Sequence, residues 1–167
     1  MTLSLGWTVA QRGDIAELNQ FDCSTPVSGI PHWAQHPRDW ERVVQAGIRN
    51  ARPPMPMGEE LLLGRDADGI VAVSWTWEED GPGLVKFLAA AVARRAWGTG
   101  VSDALIAETI DRTAARADAA GLDHFLIYGL IHPNNANSQA MVARHQFTYM
   151  RDDDDHQEWV LRVDFNP

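Results

Sequence analysis

From Glu60 to Ala120 the chain spells out a three-strand meander, a glycine-bearing turn and one long helix, and this order narrows the available folds more than any other stretch. Glu60 to Arg65 and Ile70 to Glu78 read as antiparallel strands joined by Asp66-Ala67-Asp68-Gly69, because Asp-Gly accepts the backbone conformation of a tight hairpin. Asp80-Gly81-Pro82-Gly83 forces the next reversal. The third strand, Leu84 to Ala93, ends in small residues and passes through Arg94-Arg95-Ala96-Trp97-Gly98-Thr99-Gly100 into a helix predicted from about Val101 to Ala120. Ile106, Ala107, Ile110, Ala114 and Ala117 recur on the spacing of one buried helix face, and Glu108 and Arg112 form an i,i+4 pair on another. Gly121 supplies a C-terminal cap.

Around this block the pattern continues to alternate. Leu5 to Ala10 reads as a strand, and Gly13-Asp14 then turns the chain into a helix over Ile15 to Phe21. A second helix starts near Pro37, with Trp40, Val43, Val44, Gly47 and Ile48 at helical spacing, and fades at Asn50. The proline-rich run Arg52 to Gly58 is a loop. His124 to Ile131 is a buried strand, Asn135 to His145 a short helix, and Phe147 to Met150 with Glu158 to Phe165 a final hairpin. The order predicts an α+β protein with a mixed sheet, and 167 residues suit one domain over 1–167.

Composition excludes several function classes. The single cysteine, Cys23, cannot form an internal disulfide, so a stapled secreted scaffold is out and a cytoplasmic location is expected. The longest apolar run, Leu84 to Ala93, is interrupted by Lys86 and falls short of the roughly 18 residues of a membrane span. The N-terminus lacks the basic and apolar segments of a signal peptide. With 23 acidic residues against 14 basic ones, the net charge of -9 disfavours nucleic acid, whose phosphates need clustered Lys and Arg, and leans toward cationic partners. His32, His36, His124, His145 and His156 show no metal-ligand spacing, and Asp152 to Asp155 lacks the glycine and terminal glutamate of a calcium loop, so no metal is expected.

The turn from Trp97 to Ser102 has the makings of an anion site. Glycines let the main chain approach a phosphate closely, and the free N–H groups of a helix N-terminus point at it with about half a positive charge. Arg94 and Arg95 stand nearby in sequence. The stretch lacks the Gly-x-x-x-x-Gly-Lys-Ser/Thr of a P-loop, and it lacks the third glycine and the βαβ context of a dinucleotide fold. A phosphate-bearing cofactor on a mixed sheet is what remains.

Ala90-Ala91-Val92-Ala93-Arg94-Arg95-Ala96-Trp97-Gly98-Thr99-Gly100-Val101-Ser102-Asp103-Ala104-Leu105-Ile106 resembles the acetyl-CoA signature of GNAT-superfamily N-acetyltransferases, Arg/Gln-x-x-Gly-x-Gly/Ala between a strand and a helix. Two registers are open. Either Arg95, Gly98 and Gly100 fill the motif, or Trp97, Gly100 and Ser102 occupy its positions; the second keeps Val92 and Ala104-Leu105-Ile106 in step with the flanking hydrophobic pattern. A second block, His132 to Phe147, is similar to the family's Pro-x-Asn-x-x-Ser-x-x-Leu-x-x-Lys-x-Gly-Phe, with Asn135, Ser138, Met141, Arg144 and Phe147 on its positions. Val142 stands where many members carry a tyrosine acid, and Gln146 stands where a glycine is usual, which implies a changed turn after that helix.

The resemblance implies a mostly antiparallel sheet of about seven strands flanked by about four helices, acetyl-CoA as cofactor, and a small-molecule or peptide amine as acceptor, with no nucleic acid or membrane partner; a homodimer is one assembly it allows. Ala90, Ala91, Val92, Arg95, Gly98, Thr99, Gly100, Val101, Ser102, Asp103, Asn135 and Ser138 would line the cofactor site, with a strand bulge near Ala90 to Val92. Glu78, Glu79 and His132 are candidate bases, Tyr149 and Tyr128 candidate acids, and Trp33, Trp40, Trp75 and Trp77 candidates for the acceptor pocket. The alternative is a non-catalytic acyl-CoA-binding or sensing module on the same fold.

Overall fold

The chain lays down β1 (Gly6–Val9), α1 (Ile15–Leu18), α2 (Asp39–Asn50), β2 (Glu59–Asp66), β3 (Gly69–Glu78), β4 (Leu84–Val92), α3 (Val101–Ala119), β5 (His124–Ile131), α4 (Ala136–Arg144), β6 (Thr148–Asp153) and β7 (His156–Asp164). This is the computed structural model of residues 4–31 and 33–165; His32 lies outside the described residues. The strands form one open seven-stranded sheet in the order β1-β2-β3-β4-β5-β7-β6. Every pairing is antiparallel except β4 with β5, which α3 connects. The expected α+β architecture, with seven strands and four helices, is present.

Local chemistry explains why the elements start and stop where they do. At the β2–β3 hairpin the Asp66 carboxylate accepts from the Asp68 N–H at 2.9 Å, while Gly69 takes a φ of 110° that an L side chain would resist. The C-terminus of α3 closes with Leu122 N–H donating to the Ala117 carbonyl (3.0 Å) and Gly121 N–H to that of Asp118 (2.9 Å), the two-bond cap that a left-handed glycine permits. At α4, Asn135 Oδ1 accepts from the Ser138 N–H at 3.2 Å and so caps the helix. The same two-bond closure follows α4, from Phe147 N–H to Val142 O and from Gln146 N–H to Ala143 O, both at 3.1 Å. Gln146 itself adopts the left-handed φ of 67°. The changed turn expected there is therefore not found: glutamine takes the glycine conformation at some conformational cost.

Two apolar clusters fill the interior. One gathers Leu61, Leu63, Val71 and Val73 with Leu18, Ile48, Val101 and Leu105; the other gathers Val85, Phe125, Ile127 and Leu161 with Ile106 and Ala117. The helix α3 thus contributes to both. Its buried face differs from the expected one: Ala107 is exposed, and Thr109 and Thr113 are fully buried. Their hydroxyls donate to the i−4 carbonyls of Leu105 and Thr109, each at 2.8 Å, which leaves Thr109 Oγ1 to accept from the Ser74 hydroxyl at 3.0 Å. Polarity satisfied in this way no longer opposes burial. The Glu108–Arg112 pair is present at 2.9 Å. The last two strands run further than expected, so Asp152 and Asp153 sit in β6 and only Asp154-Asp155 forms the turn. Among the described residues no helix is long and apolar enough to cross a membrane.

Candidate active site

The site begins where the sheet opens. β4 and β5 pair over Leu84↔Leu126 to Phe87↔Gly129 and then part. On its other side β4 keeps pairing with β3, but the register jumps from Thr76↔Phe87 to Trp75↔Ala89, which leaves Leu88 as an extra, bulged residue. The bulge therefore lies just upstream of the predicted Ala90 to Val92. The open edge of β4 is lined by the small side chains of Ala89, Ala90 and Ala91, and two clefts meet along it. Both share Trp40, Val44, Ala90, Asn135, Ser138 and Met141.

The smaller cleft, about 590 Å³, runs along Ala90, Ala91 and Val92 to Trp97, Gly98, Gly100, Val101, Ser102 and Asp103. Gly98 and Gly100 have φ of 74° and 85°, and Gly100 is the residue from which α3 starts with no side-chain cap. Its first-turn N–H groups therefore remain available to a ligand anion. Thr99 acts from outside the lining: its hydroxyl donates to the Ala96 carbonyl at 2.6 Å and tightens the turn, while the Trp97 indole N–H donates to Val92 O at 3.0 Å. Arg95 turns away and grips the carboxylate of Asp66 with both terminal guanidinium nitrogens, at 2.6 and 2.8 Å. Arg94 pairs with Asp22 at 2.7 Å. The cations that do line the cleft are Arg38 and Arg144, which sequence proximity to the turn did not single out. Partial burial works against the charge on Asp103, but hydrogen bonds from Arg144 and His145 outweigh it and hold the carboxyl below the usual carboxylate range.

The larger cleft, about 1290 Å³, lies on the far side of the shared residues. Its walls include His36, Trp40, Phe87, His132 and Val142, with Trp159 of β7 and the carboxylates of Asp39, Asp152, Asp154 and Asp155 also in the lining. Trp40 stacks on His132, ring centroids 4.5 Å apart and planes 21° from parallel. Of the groups the sequence nominates for proton transfer, His132 alone lines this cleft. Glu78 pairs with Arg116, whose Nε is 2.6 Å away. Glu79 accepts from the Tyr128 hydroxyl at 2.7 Å; burial first, then this bond, pushes the Tyr128 phenol up to about 12. Tyr149 sits exposed on the outer strand β6, edge-on to Trp159. Trp40 is likewise the only one of the four nominated tryptophans in the lining: Trp33 is 78% exposed, Trp75 donates its indole N–H to Glu59 at 2.8 Å, and Trp77 packs over Gly58. His36 and Trp159 were not anticipated. The one signal for His36 is a repeated dipeptide, His36-Pro37 and His132-Pro133.

No protein-family model and no curated sequence matches the chain. Solved structures do. PaiA N-acetyltransferase from Thermoplasma acidophilum, in complex with coenzyme A, superposes with a TM-score of 0.72 at 9% identity, covering 96% of this chain and 100% of that one. The ribosomal-protein-S18-alanine N-acetyltransferase of Escherichia coli gives a TM-score of 0.61 at 12% identity, covering 96% and 94%. Mutant forms of the spermidine/spermine N-acetyltransferase SpeG from Vibrio cholerae give 0.57 at 14% identity, again covering 96% and 94%. The fold is that of the GNAT N-acetyltransferases.

Proposed function

We propose that the chain is an N-acetyltransferase that takes an acetyl group from acetyl-CoA and passes it to a primary amine attacking the thioester directly. The observation that carries this reading is the uncapped α3 N-terminus behind Gly98 and Gly100, opening onto the unpaired edge of β4 at the junction of two clefts. The residues suit the cofactor: first-turn N–H groups for phosphates, the Arg38 and Arg144 guanidiniums beside them, each now paired with a carboxylate of the same lining (Glu41 and Asp103) that a phosphate would have to displace, and alanine side chains that keep the strand edge accessible. Bound acetyl-CoA would supply an activated acyl thioester. Asp39, Asp152, Asp154 and Asp155 draw a cationic amine into the larger cleft, and Trp40 with Met141 forms the wall both ligands share. Holding amine and thioester against one wall converts their encounter into a step within a single complex.

Free-thiol release from acetyl-CoA across a panel of primary amines tests the reading. Turnover with at least one amine is expected; no turnover with any amine, together with no acetyl-CoA binding, sinks it. Val142, an apolar residue where the resembled pattern has a tyrosine, favours a second reading as a non-catalytic acyl-CoA-binding module. Tight binding without transfer to any amine would select that one.

A further inference from the structure

Between Arg94 and Gly100 the one large apolar side chain is Trp97, and a hydrogen bond fixes where its ring lies. Ala93 N–H donates to Val71 O at 2.8 Å, so Ala93 faces β3. By the alternation of an antiparallel pair, Val92 and Ala90 then turn their N–H and C=O groups the other way, onto the open edge of β4. The Trp97 indole N–H donates to Val92 O at 3.0 Å. Its ring therefore spans the corner between that edge and the glycine turn at the start of α3. The residue stays 43% exposed and, with Val92 and Gly98, lines the smaller cleft but not the larger one.

This side chain offers a phosphate neither charge nor a free donor, because the indole has a single N–H and Val92 O has taken it. What it offers is a flat apolar surface held in place before any ligand arrives, so covering it gains hydrophobic free energy at little cost in rotamer freedom. Connectivity decides which part of the cofactor covers it. With phosphate on the first turn of α3 and the thioester at the junction beside Ala90, the arm that links them runs past the corner Trp97 occupies. Next to its phosphates, the arm of an acyl-CoA carries a quaternary carbon with two methyl groups, its bulkiest apolar point. The adenine is attached on the far side of the phosphates from the thioester.

Resting on the cofactor part of the reading above, we infer that Trp97 is a specificity-determining residue for the cofactor arm: its pinned ring packs on the dimethyl carbon next to the phosphates, so that the chain reads the phosphopantetheine half of CoA and not its phosphates alone. The measurement is calorimetric titration of the full chain with CoA and with a CoA analogue lacking the two methyl groups, which needs no turnover. The native chain binds CoA about five- to tenfold more tightly than the analogue, the size expected for methyl groups buried against a ring. In Trp97→Ala the two ligands bind within about twofold of each other, because the ring that told them apart is gone. Trp97→Phe keeps an apolar face without the bond to Val92 O and retains part of the preference. A ring that merely props up the turn would on removal weaken both ligands equally and leave the preference intact, and a ring stacked on the adenine would show no preference even in the native chain; either outcome overturns the inference while the transferase reading stands. A native chain that binds neither ligand removes both.

Discussion

The two clefts are built from different materials. The smaller one is marked by its main chain: two left-handed glycines, an uncapped helix start and a run of alanines along a strand edge. The larger one is mostly side chain, with indole, imidazole and carboxylate groups delivered from the α2 region, β5 and the β6–β7 turn. A main-chain site is specified wherever the backbone path is specified, so a handful of small residues at fixed spacing is enough to reveal it. A side-chain site depends on residues that meet only after folding, and no local spacing announces them.

Placing a carboxylate and a side chain in the main-chain site should break it outright. Gly100→Asp puts negative charge at the positive end of α3 and a Cβ at a φ of 85°; CoA affinity, measured by equilibrium dialysis, should fall by at least about 100-fold while far-UV circular dichroism stays native. Retained affinity would show that phosphate does not sit there. The side-chain site should yield by degrees instead. Replacing Asp152, Asp154 and Asp155 together with Asn should raise the KM for a cationic amine about three- to tenfold at low salt, with the difference shrinking as salt screens exposed charges, and should leave the Kd for CoA unaltered.

Two further tests check residues the structure moves out of both clefts. Tyr128 has its folded pKa raised, so its protonated form is the one the fold stabilises: that contribution is complete below the ordinary tyrosine value near 10 and is lost as pH rises from there through about 12. Ultraviolet titration of the Tyr149→Phe protein should show the remaining phenol ionising late, and Tyr128→Phe should remove the corresponding alkaline loss of stability. Ionisation near 10 would contradict the Glu79 bond. The smallest effect belongs to Arg95→Gln. With the guanidinium on Asp66, CoA affinity should change less than about twofold and stability by less than about 1 kcal/mol, as for partly exposed ion pairs. A tenfold loss of CoA affinity would return Arg95 to the phosphate site.

Much of the sheet is legible in the sequence because its turns are chemically explicit: Asp68-Gly69, Gly81-Pro82-Gly83 and Gly121 bracket β3, β4 and α3 to within a residue or two. What escapes is set by tertiary partners. Thr109 and Thr113 look like surface residues until their hydroxyls are seen bonded to the preceding turns. Arg95 looks like a phosphate ligand because it adjoins the turn in sequence, but Asp66 at the hairpin claims it; Arg38 and Arg144, far from the turn in sequence, face the cleft. Glu78 and Glu79 show the same limit, since Arg116 and Tyr128 hold them away from the larger cleft.

The parting of β4 from β5 has a consequence for self-association. An exposed strand edge invites another chain to pair with it, and sheets commonly guard their margins with charge, as Arg151, Asp152 and Asp153 do on the outermost strand β6. The edge of β4 from Leu88 to Val92 carries no charged residue at all. Its protection is positional: it lies inside the sheet, with Trp40 and Val44 of α2 and Ser138 and Met141 of α4 among the residues around it. Enclosed in this way, an uncharged strand edge is covered by its own chain and needs no gatekeeping charge.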